Sequence, residues 1–316
     1  MMFRITNFRV GAAAALLLAL LVALSGANEY FFFAAFVVLQ SVVLATAWNI
    51  LGGYAGYVNF GTAAFFGLGA YTAVVVINAT GAPLAVQILA GAAVSGLLGF
   101  GTGLITLRLR GIFFSIATVA LIFIAETLII NWRYVGGATG IQLLRPPLTW
   151  PFDTYTRMLF FVMAVLAVAA VSIARYIETS WIGRGLRAIR DTEEAAECSG
   201  VPTLRLKLFA CTVSGALMGA AGAPLPMYLS FLEPVSSFNL NYSVAALAGA
   251  IIGGTSHWLG PVIGSILLAS VQQIVTVTIS SEINVLVVGV LLVVFVVAAP
   301  DGMLGLARKM TRKMRR

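Results

Sequence analysis

A chain of 316 residues with 60% hydrophobic and only 9% charged side chains cannot clothe a water-soluble globule, which carries roughly 25% charged residues. Its apolar runs are long and continuous, which excludes the alternating strands of an outer-membrane barrel and leaves an all-α, polytopic membrane protein. The net charge of +8 would point to nucleic acid in a soluble chain. Here it fits basic residues gathered on cytoplasmic loops, so the expected surroundings are a lipid bilayer and no nucleic acid.

In chain order, Arg4 and Arg9 precede an apolar run over 10–24, and Ser25, Gly26 and Ala27 follow it. That pattern suits a cleavable signal peptide or a first membrane helix with its N-terminus inside. Further spans are expected at about 31–50, 59–78, 84–107, 112–131, 157–176, 206–227, 242–256, 259–279 and 283–299, giving about ten helices with broken or re-entrant segments. Charge tests the count. With Arg4 and Arg9 inside, alternation places Arg108 and Arg110 inside, 132–156 outside and 177–205 inside. It also returns the basic tail (Arg308, Lys309, Arg312, Lys313, Arg315, Arg316) to the cytoplasm, so an even count favours the membrane-helix reading of the N-terminus. Residues 1–316 thus read as one transmembrane domain with a periplasmic loop at 132–156. The exceptions to the charge rule are Arg133, Arg145 and Arg157 on or beside that loop, where Trp132, Tyr134, Trp150 and Tyr155 read as interface anchors.

Two glycine-rich stretches interrupt the apolar pattern. The first holds Asn49, Gly52, Gly53, Tyr54, Gly56, Asn59, Gly61 and Thr62; the second runs over 249–261 and contains Gly253, Gly254, His257, Gly260 and Pro261. Irregular backbone at membrane depth is tolerated where it is buried in protein or lines a wet cavity, and broken helices there handle polar solutes. The alternative is close packing through small residues, which is the reading for Gly67, Gly69, Gly96, Gly99 and Gly103. For the first stretch the amides and hydroxyl of Asn49, Asn59 and Thr62 favour a substrate pathway. For the second, both readings stand.

Chemistry-bearing constellations are few. There is no phosphate-binding G-x-x-x-x-G-K-[ST] loop, so no cofactor is expected in this chain. Paired carboxylates, a Ser-His-Asp set and a Cys/His cluster are also missing, and no enzymatic activity is expected. Cys198 and Cys211 read as small buried-type residues. Glu126 is the clearest intramembrane charge, while Glu29 and Glu282 lie at span ends. It suits either an ion-coupled pathway or a hydrogen bond to a neighbouring helix.

The long charged segment is 177–207. From Thr179 on it holds Arg184, Arg187, Arg190, Arg205 and Lys207, and Asp191, Glu193, Glu194 and Glu197, which place four of the chain's eleven acidic residues within seven positions. Asp191 reads as an N-cap with Glu194 completing a capping-box variant, and Gly200 followed by Pro202 as the stop. The result is a helix over about 192–199, roughly 12 Å long. Ala195, Ala196 and Ser199 form its small-residue face, suited to a shallow groove. Before it, Gly183 leads into a basic stripe of Arg184, Arg187 and Arg190, suited to lipid headgroups or to docking.

At this point a resemblance becomes specific. The run from Ser180 to Gly200, S-x-x-G-R-x-L-R-A-I-R-D-x-E-x-A-A-E-x-x-G, resembles the EAA-type coupling loop of ABC importer permeases, and most of all that of the high-affinity branched-chain amino acid permeases. The run N-I-L-G-G-Y-A-G from Asn49, continued by N-F-G-x-A-A-F-F-G-x-G-A-Y from Asn59, is similar to a signature of that family. So are Asn131-Trp132 with G-G-A-T-G-I from Gly136, and G-G-T-S-H-W-L-G-P-V-I-G from Gly253. The resemblance spans about 45–305. It implies a permease subunit of an ABC importer in the bacterial inner membrane, with both termini cytoplasmic. The implied partners are a second homologous permease, two ATPase subunits that bind the ATP, and a periplasmic substrate-binding protein. Gly183, Arg184, Arg187, Arg190, Asp191, Glu193, Glu194, Ala195, Ala196 and Gly200 would form the ATPase-coupling surface, and the Asn49–Thr62 set the pathway. Departures fall on membrane segments: Thr62 where the family has histidine, Tyr57 where it has glutamine, Phe123 in place of a glutamate with Glu126 one turn later, and Pro224 and Pro226. They bear on which solute is carried.

Overall fold

The computed structural model describes residues 2–24, 28–109, 111–143, 152–278, 283–299 and 302–306. Of the features named above, Ser25, Gly26, Ala27, Arg110, Arg145, Trp150, Glu282 and the tail 307–316 lie outside them, as do the side chains of Arg4 and Arg9.

The chain is an all-α bundle. Its helices are α1 (Met2–Ala23), α2 (Glu29–Ala55), α3 (Thr62–Thr80), α4 (Leu84–Thr106), α5 (Ile112–Ile130), α6 (Tyr155–Thr179), α7 (Trp181–Asp191) and α8 (Glu193–Cys198). They continue as α9 (Thr203–Gly222), α10 (Leu225–Leu229), α11 (Pro234–Ser237), α12 (Asn241–Gly253), α13 (Leu259–Thr278) and α14 (Ile283–Ala298). Among the described residues eight helical segments are long and apolar enough to cross a membrane, with α10 counted into α9 and α11 into α12; α1 and α14 hold shorter apolar stretches, Val10–Ala23 and Leu286–Phe295. The protein is a multi-pass membrane protein, and the expected ten spans are matched approximately.

Helix α2 runs down the middle of the bundle. Sixteen of its residues are buried, from Phe32 to Ala55, and it touches α6, α9, α12 and α13. Where α3 and α4 meet α9 the contacts are small residues. A Cβ on Gly99 would stand 2.8 Å from the Cys211 carbonyl oxygen, one on Gly96 3.2 Å from the Ala216 Cβ, and one on Gly69 would overlap Gly219. Backbones brought this close gain dispersion contacts that lipid cannot match.

The two ends of the bundle differ. At one, β1 (Ile141–Gln142) pairs antiparallel with β2 (Phe231–Leu232) in the register Ile141↔Leu232. Nearby, Thr154 donates to Glu29 at 2.7 Å and Arg157 lies 3.6 Å from the same carboxylate. At the other end α7 and α8 form a charged elbow between α6 and α9.

Two helices start inside the bundle rather than at its ends. Beyond Ala55 the chain doubles back along α2, since the Trp48 indole donates to the Asn59 carbonyl at 2.7 Å. Helix α3 therefore begins at the level of Trp48, about 10 Å short of the end of α2. Its Ala63 N–H is capped by the Ser243 hydroxyl of α12 at 3.0 Å. Phe238, just before α12, stacks on Tyr71 midway along α3 with centroids 5.9 Å apart. The segment after α9 is thus re-entrant, and Pro224 and Pro226 stand at the first turn of its short helix α10.

Candidate functional site

Helix α7 is amphipathic: Gly183, Leu186 and Ile189 are buried, while Arg184 and Arg190 are exposed. Gly183 is there because the α6–α7 turn is tight, and a Cβ would overlap the Ile177 carbonyl oxygen. Asp191 is not an N-cap, as expected from the sequence. It is the last residue of α7, and the break falls on Thr192, whose extended backbone (φ −158°, ψ 109°) starts the six-residue α8 without a side-chain cap. The cause is that the α7 stripe keeps its apolar side on the bundle for one turn longer than local capping signals indicate. The stop is as expected: Gly200 takes φ +79°, and Val201 N–H donates to the Ala196 carbonyl at 3.0 Å.

The elbow does not present the face expected of it. Ala196 is buried at 4% exposure, whereas Ala195 and Ser199 are exposed. Glu193 also points inward. Its Oε1 lies 2.6 Å from Lys207 Nζ of α9, and its Oε2 accepts the Tyr57 hydroxyl at 2.6 Å. Lys207 Nζ further reaches the Tyr57 oxygen at 3.1 Å and the Leu107 carbonyl at 3.3 Å. The two charged side chains are 5% and 12% exposed, so the pair is screened little and removing one partner would strand the other.

The basic stripe is split likewise. Arg190 donates from Nη1 to the Gly53 carbonyl at 2.7 Å, and Arg187 to the Glu178 carbonyl at 3.3 Å. A Cβ on Gly56, at φ +79°, would stand 3.1 Å from Arg190 Cγ. Glu178 Oε2 in turn accepts the Trp258 backbone N–H at 2.7 Å and the Tyr54 hydroxyl at 3.4 Å. What is left on the outer surface includes Arg184, Asp191, Glu194, Ala195, Glu197, Cys198 and Ser199; Cys198 is thus exposed, against the buried position expected of it, whereas Cys211 is buried as expected.

The segment expected to be a broken pathway divides in two. Gly52, Gly53 and Tyr54 remain inside α2, which ends at Gly56, so irregular backbone is confined to 56–61. Helix propensity alone puts the break at the paired glycines; burial of the whole turn against α6, α7 and α13 overrides it. Asn59 Oδ1 accepts the Gly61 N–H at 2.7 Å, and Thr118 of α5 accepts that of Phe60 at 3.0 Å. Deeper in, Asn49 and Thr62 are at most 1% exposed. The Thr62 hydroxyl has no hydrogen-bond partner among the described residues, and the Asn49 amide has none of full hydrogen-bond geometry, although the Tyr54 hydroxyl interacts with it. Glu126 is half-buried on α5, about 12 Å along the helix from Thr118, and is not brought to this cluster.

One partner was legible in part. Lys207 stands in the second turn of α9, just where the helix becomes continuously apolar, and a lysine there is itself a signal of a paired charge. Glu178 and Trp258 gave no local signal, because their contact joins residues far apart in sequence. His257 accepts the Leu259 N–H at 3.2 Å, and among the described residues no group of His, Cys, Asp and Glu is placed to hold a metal.

The family described as "Branched-chain amino acid transport system / permease component" matches residues 30–296. The chain is 25% identical to the high-affinity branched-chain amino acid transport system permease protein LivM of Salmonella typhimurium, over 84% of this chain and 68% of that one. It is 24% identical to the probable branched-chain amino acid transport permease protein LivH of Methanocaldococcus jannaschii, over 56% and 58% of the two chains. A shorter match, 31% identical over 31% of this chain and 32% of the other, is to the ribose import permease protein RbsC of Haemophilus influenzae. No solved structure matches. With a multi-pass helical bundle and a family match over most of its length, the chain belongs to the branched-chain amino acid transport permease family.

Proposed function

We propose that this chain is the membrane-spanning subunit of an ATP-driven importer that passes a branched-chain amino acid, or a related small solute, across the bacterial inner membrane. The observation that carries this reading is the elbow. It is anchored inward by Glu193–Lys207 and Arg190–Gly53 while Arg184, Asp191, Glu194, Ala195 and Ser199 stay on its outer surface. Anchoring on one face and exposure on the other suit a part that takes up force from a cytoplasmic ATPase. The arginines of α7 favour a cytoplasmic elbow, which puts both termini inside by the charge rule. Each of two ATPase subunits binds ATP, a second homologous permease completes the pathway, and a periplasmic protein delivers the solute at the end that carries β1 and β2. The coupling surface is Arg184, Asp191, Glu194, Ala195, Ser199 and Gly200, with Gly183, Arg187, Arg190, Glu193 and Ala196 holding it in place.

For the pathway, Asn49 and Thr62 are the strongest candidates. Buried polar groups without partners are rare and costly in a bilayer. Thr62 stands at the interior start of α3, next to the Ser243 contact from α12, where helix N-termini attract carboxylates, while Asn49 lies on α2 beside Gly53, near Thr255 beyond the far end of α12. Gly52, Gly53, Tyr54, Gly56, Asn59 and Gly61 shape the backbone around them.

The test is uptake of labelled leucine into vesicles carrying the chain with its neighbouring-gene ATPase, permease and binding-protein partners. Uptake is expected to need all of them together with ATP. Uptake by this chain alone, driven by an ion gradient, would overturn the reading.

A further inference from the structure

Lys207 is the only charged side chain fully buried among the described residues, at 4% exposure. Its ammonium binds three elements besides its own α9: Glu193 of α8, Tyr57 of the α2–α3 turn, and the carbonyl of Leu107 that follows α4. Tyr57 closes the set. Its hydroxyl donates to Glu193, its ring lies 4.9 Å from the Lys207 nitrogen, and its other side meets Phe114 of α5 edge-on at 5.2 Å. From Tyr57 the chain passes in four residues to Gly61 and the interior start of α3, where Thr62 stands. One contact of α8 with the bundle, Glu193 with Tyr57, is therefore also a contact that holds the turn leading to α3.

We propose that Tyr57, Glu193 and Lys207 form a joint that transmits displacement of the elbow to the α2–α3 turn and so to the buried polar groups at the start of α3. The inference rests on the permease reading above and adds the route by which ATP hydrolysis outside this chain acts inside it. Buried charge-assisted hydrogen bonds are strong and directional. Glu193 makes one to Lys207 of α9 and another to Tyr57 of the turn, so the elbow and the turn hold as one unit where an apolar contact would let α8 slide. Tyr57 makes the joint directional: a pull on Glu193 draws the phenol, and the phenol carries the 56–61 backbone. All three act here as positioning residues.

The experiment uses the complete complex in vesicles, reading solute uptake and ATP hydrolysis on the same preparation. Lys207→Met keeps the side-chain length without the charge, and Tyr57→Phe keeps the ring and its Phe114 contact without the hydroxyl. The uptake achieved per ATP is expected to fall about tenfold in Lys207→Met and a few-fold in Tyr57→Phe. Glu193→Lys combined with Lys207→Glu is expected to recover part of the ratio that each single reversal loses. A purely structural role predicts instead that uptake, hydrolysis and assembled complex fall together with the ratio unchanged, and that result would overturn the proposal. Should Lys207→Met fail to assemble, Tyr57→Phe decides alone: a wild-type ratio there removes the joint. Absence of ATP-driven uptake by the wild-type complex would sink the permease reading and the joint with it, whereas wild-type ratios in an active complex sink only the joint.

Discussion

The two glycine-rich stretches look alike in sequence and are built differently. Around 253–264 backbone meets backbone: a Cβ on Gly253 would overlap the Gly260 carbonyl, one on Gly260 the Gly254 carbonyl, and one on Gly264 the Gly249 carbonyl. Gly302 presses on Gly254 from the far side. Around 52–61 the neighbours are mostly side chains. Gly52 meets the Trp48 ring, Gly56 the Arg190 chain, and Gly61 the Asn59 amide at 3.0 Å. The second stretch is a packing seam of α12 on α13, the blander of the two readings open to it. The first is a junction where side chains from five other helices converge. Glycine density reports only that something comes close; what comes close decides whether the site is rigid or can be moved.

The comparison is broken most directly by adding a methyl group to each. Gly260→Ala should lose about 3 kcal/mol or more, because two backbones cannot repack around it, and most of the protein should fail to elute as a monodisperse peak in detergent. A variant that melts like the wild type would show the seam to be loose. Next in size, Lys207→Met should cost about 3 kcal/mol by leaving Glu193 charged and unpaired, and Lys207→Met with Glu193→Leu should cost less than the single change. Thermal unfolding of both would separate a buried ion pair from mere packing, and equal losses would count against it. Gly56→Ala should be milder, about 1–2 kcal/mol, since it forces alanine to φ +79° while the long Arg190 side chain can shift. A loss as large as that of Gly260→Ala would erase the distinction between the two stretches. Smallest is Gly101→Ala, with no atom within 4 Å of the added carbon; helix propensity predicts a gain of about 0.5–1 kcal/mol. A destabilised Gly101→Ala would mean that glycine tolerance here is not governed by neighbours.

Much of the fold was legible because a bilayer leaves so few options. Apolar length locates helices, and Gly200 before Pro202 ends α8 as local chemistry requires. Asp191 was misleading for a local reason. A D-x-x-E pattern is a capping signal only if the preceding residues are not already helical, and Leu186 and Ile189 keep α7 wound on the bundle through Asp191. Ala196 was misleading for a tertiary one: small residues suit an outward groove and an inward contact equally, and the inward contact won. Glu193 likewise reads as a first-turn carboxylate on any helix wheel, and only the fold supplies Lys207 opposite it.

Hydropathy, capping chemistry and residue order along the chain settle the class of molecule, its approximate number of spans, the place of the charged elbow and the family pattern. The tertiary structure alone decided which face of the elbow is held and which is offered. It also showed that the glycine turn and the elbow are one cluster, and that α3 and α12 begin inside the bundle. Much of this depends on residues more than a hundred positions apart meeting at hydrogen-bond distance, such as Tyr57 with Glu193 and Ala63 with Ser243. A local pattern carries no information about such a partner until packing brings it there.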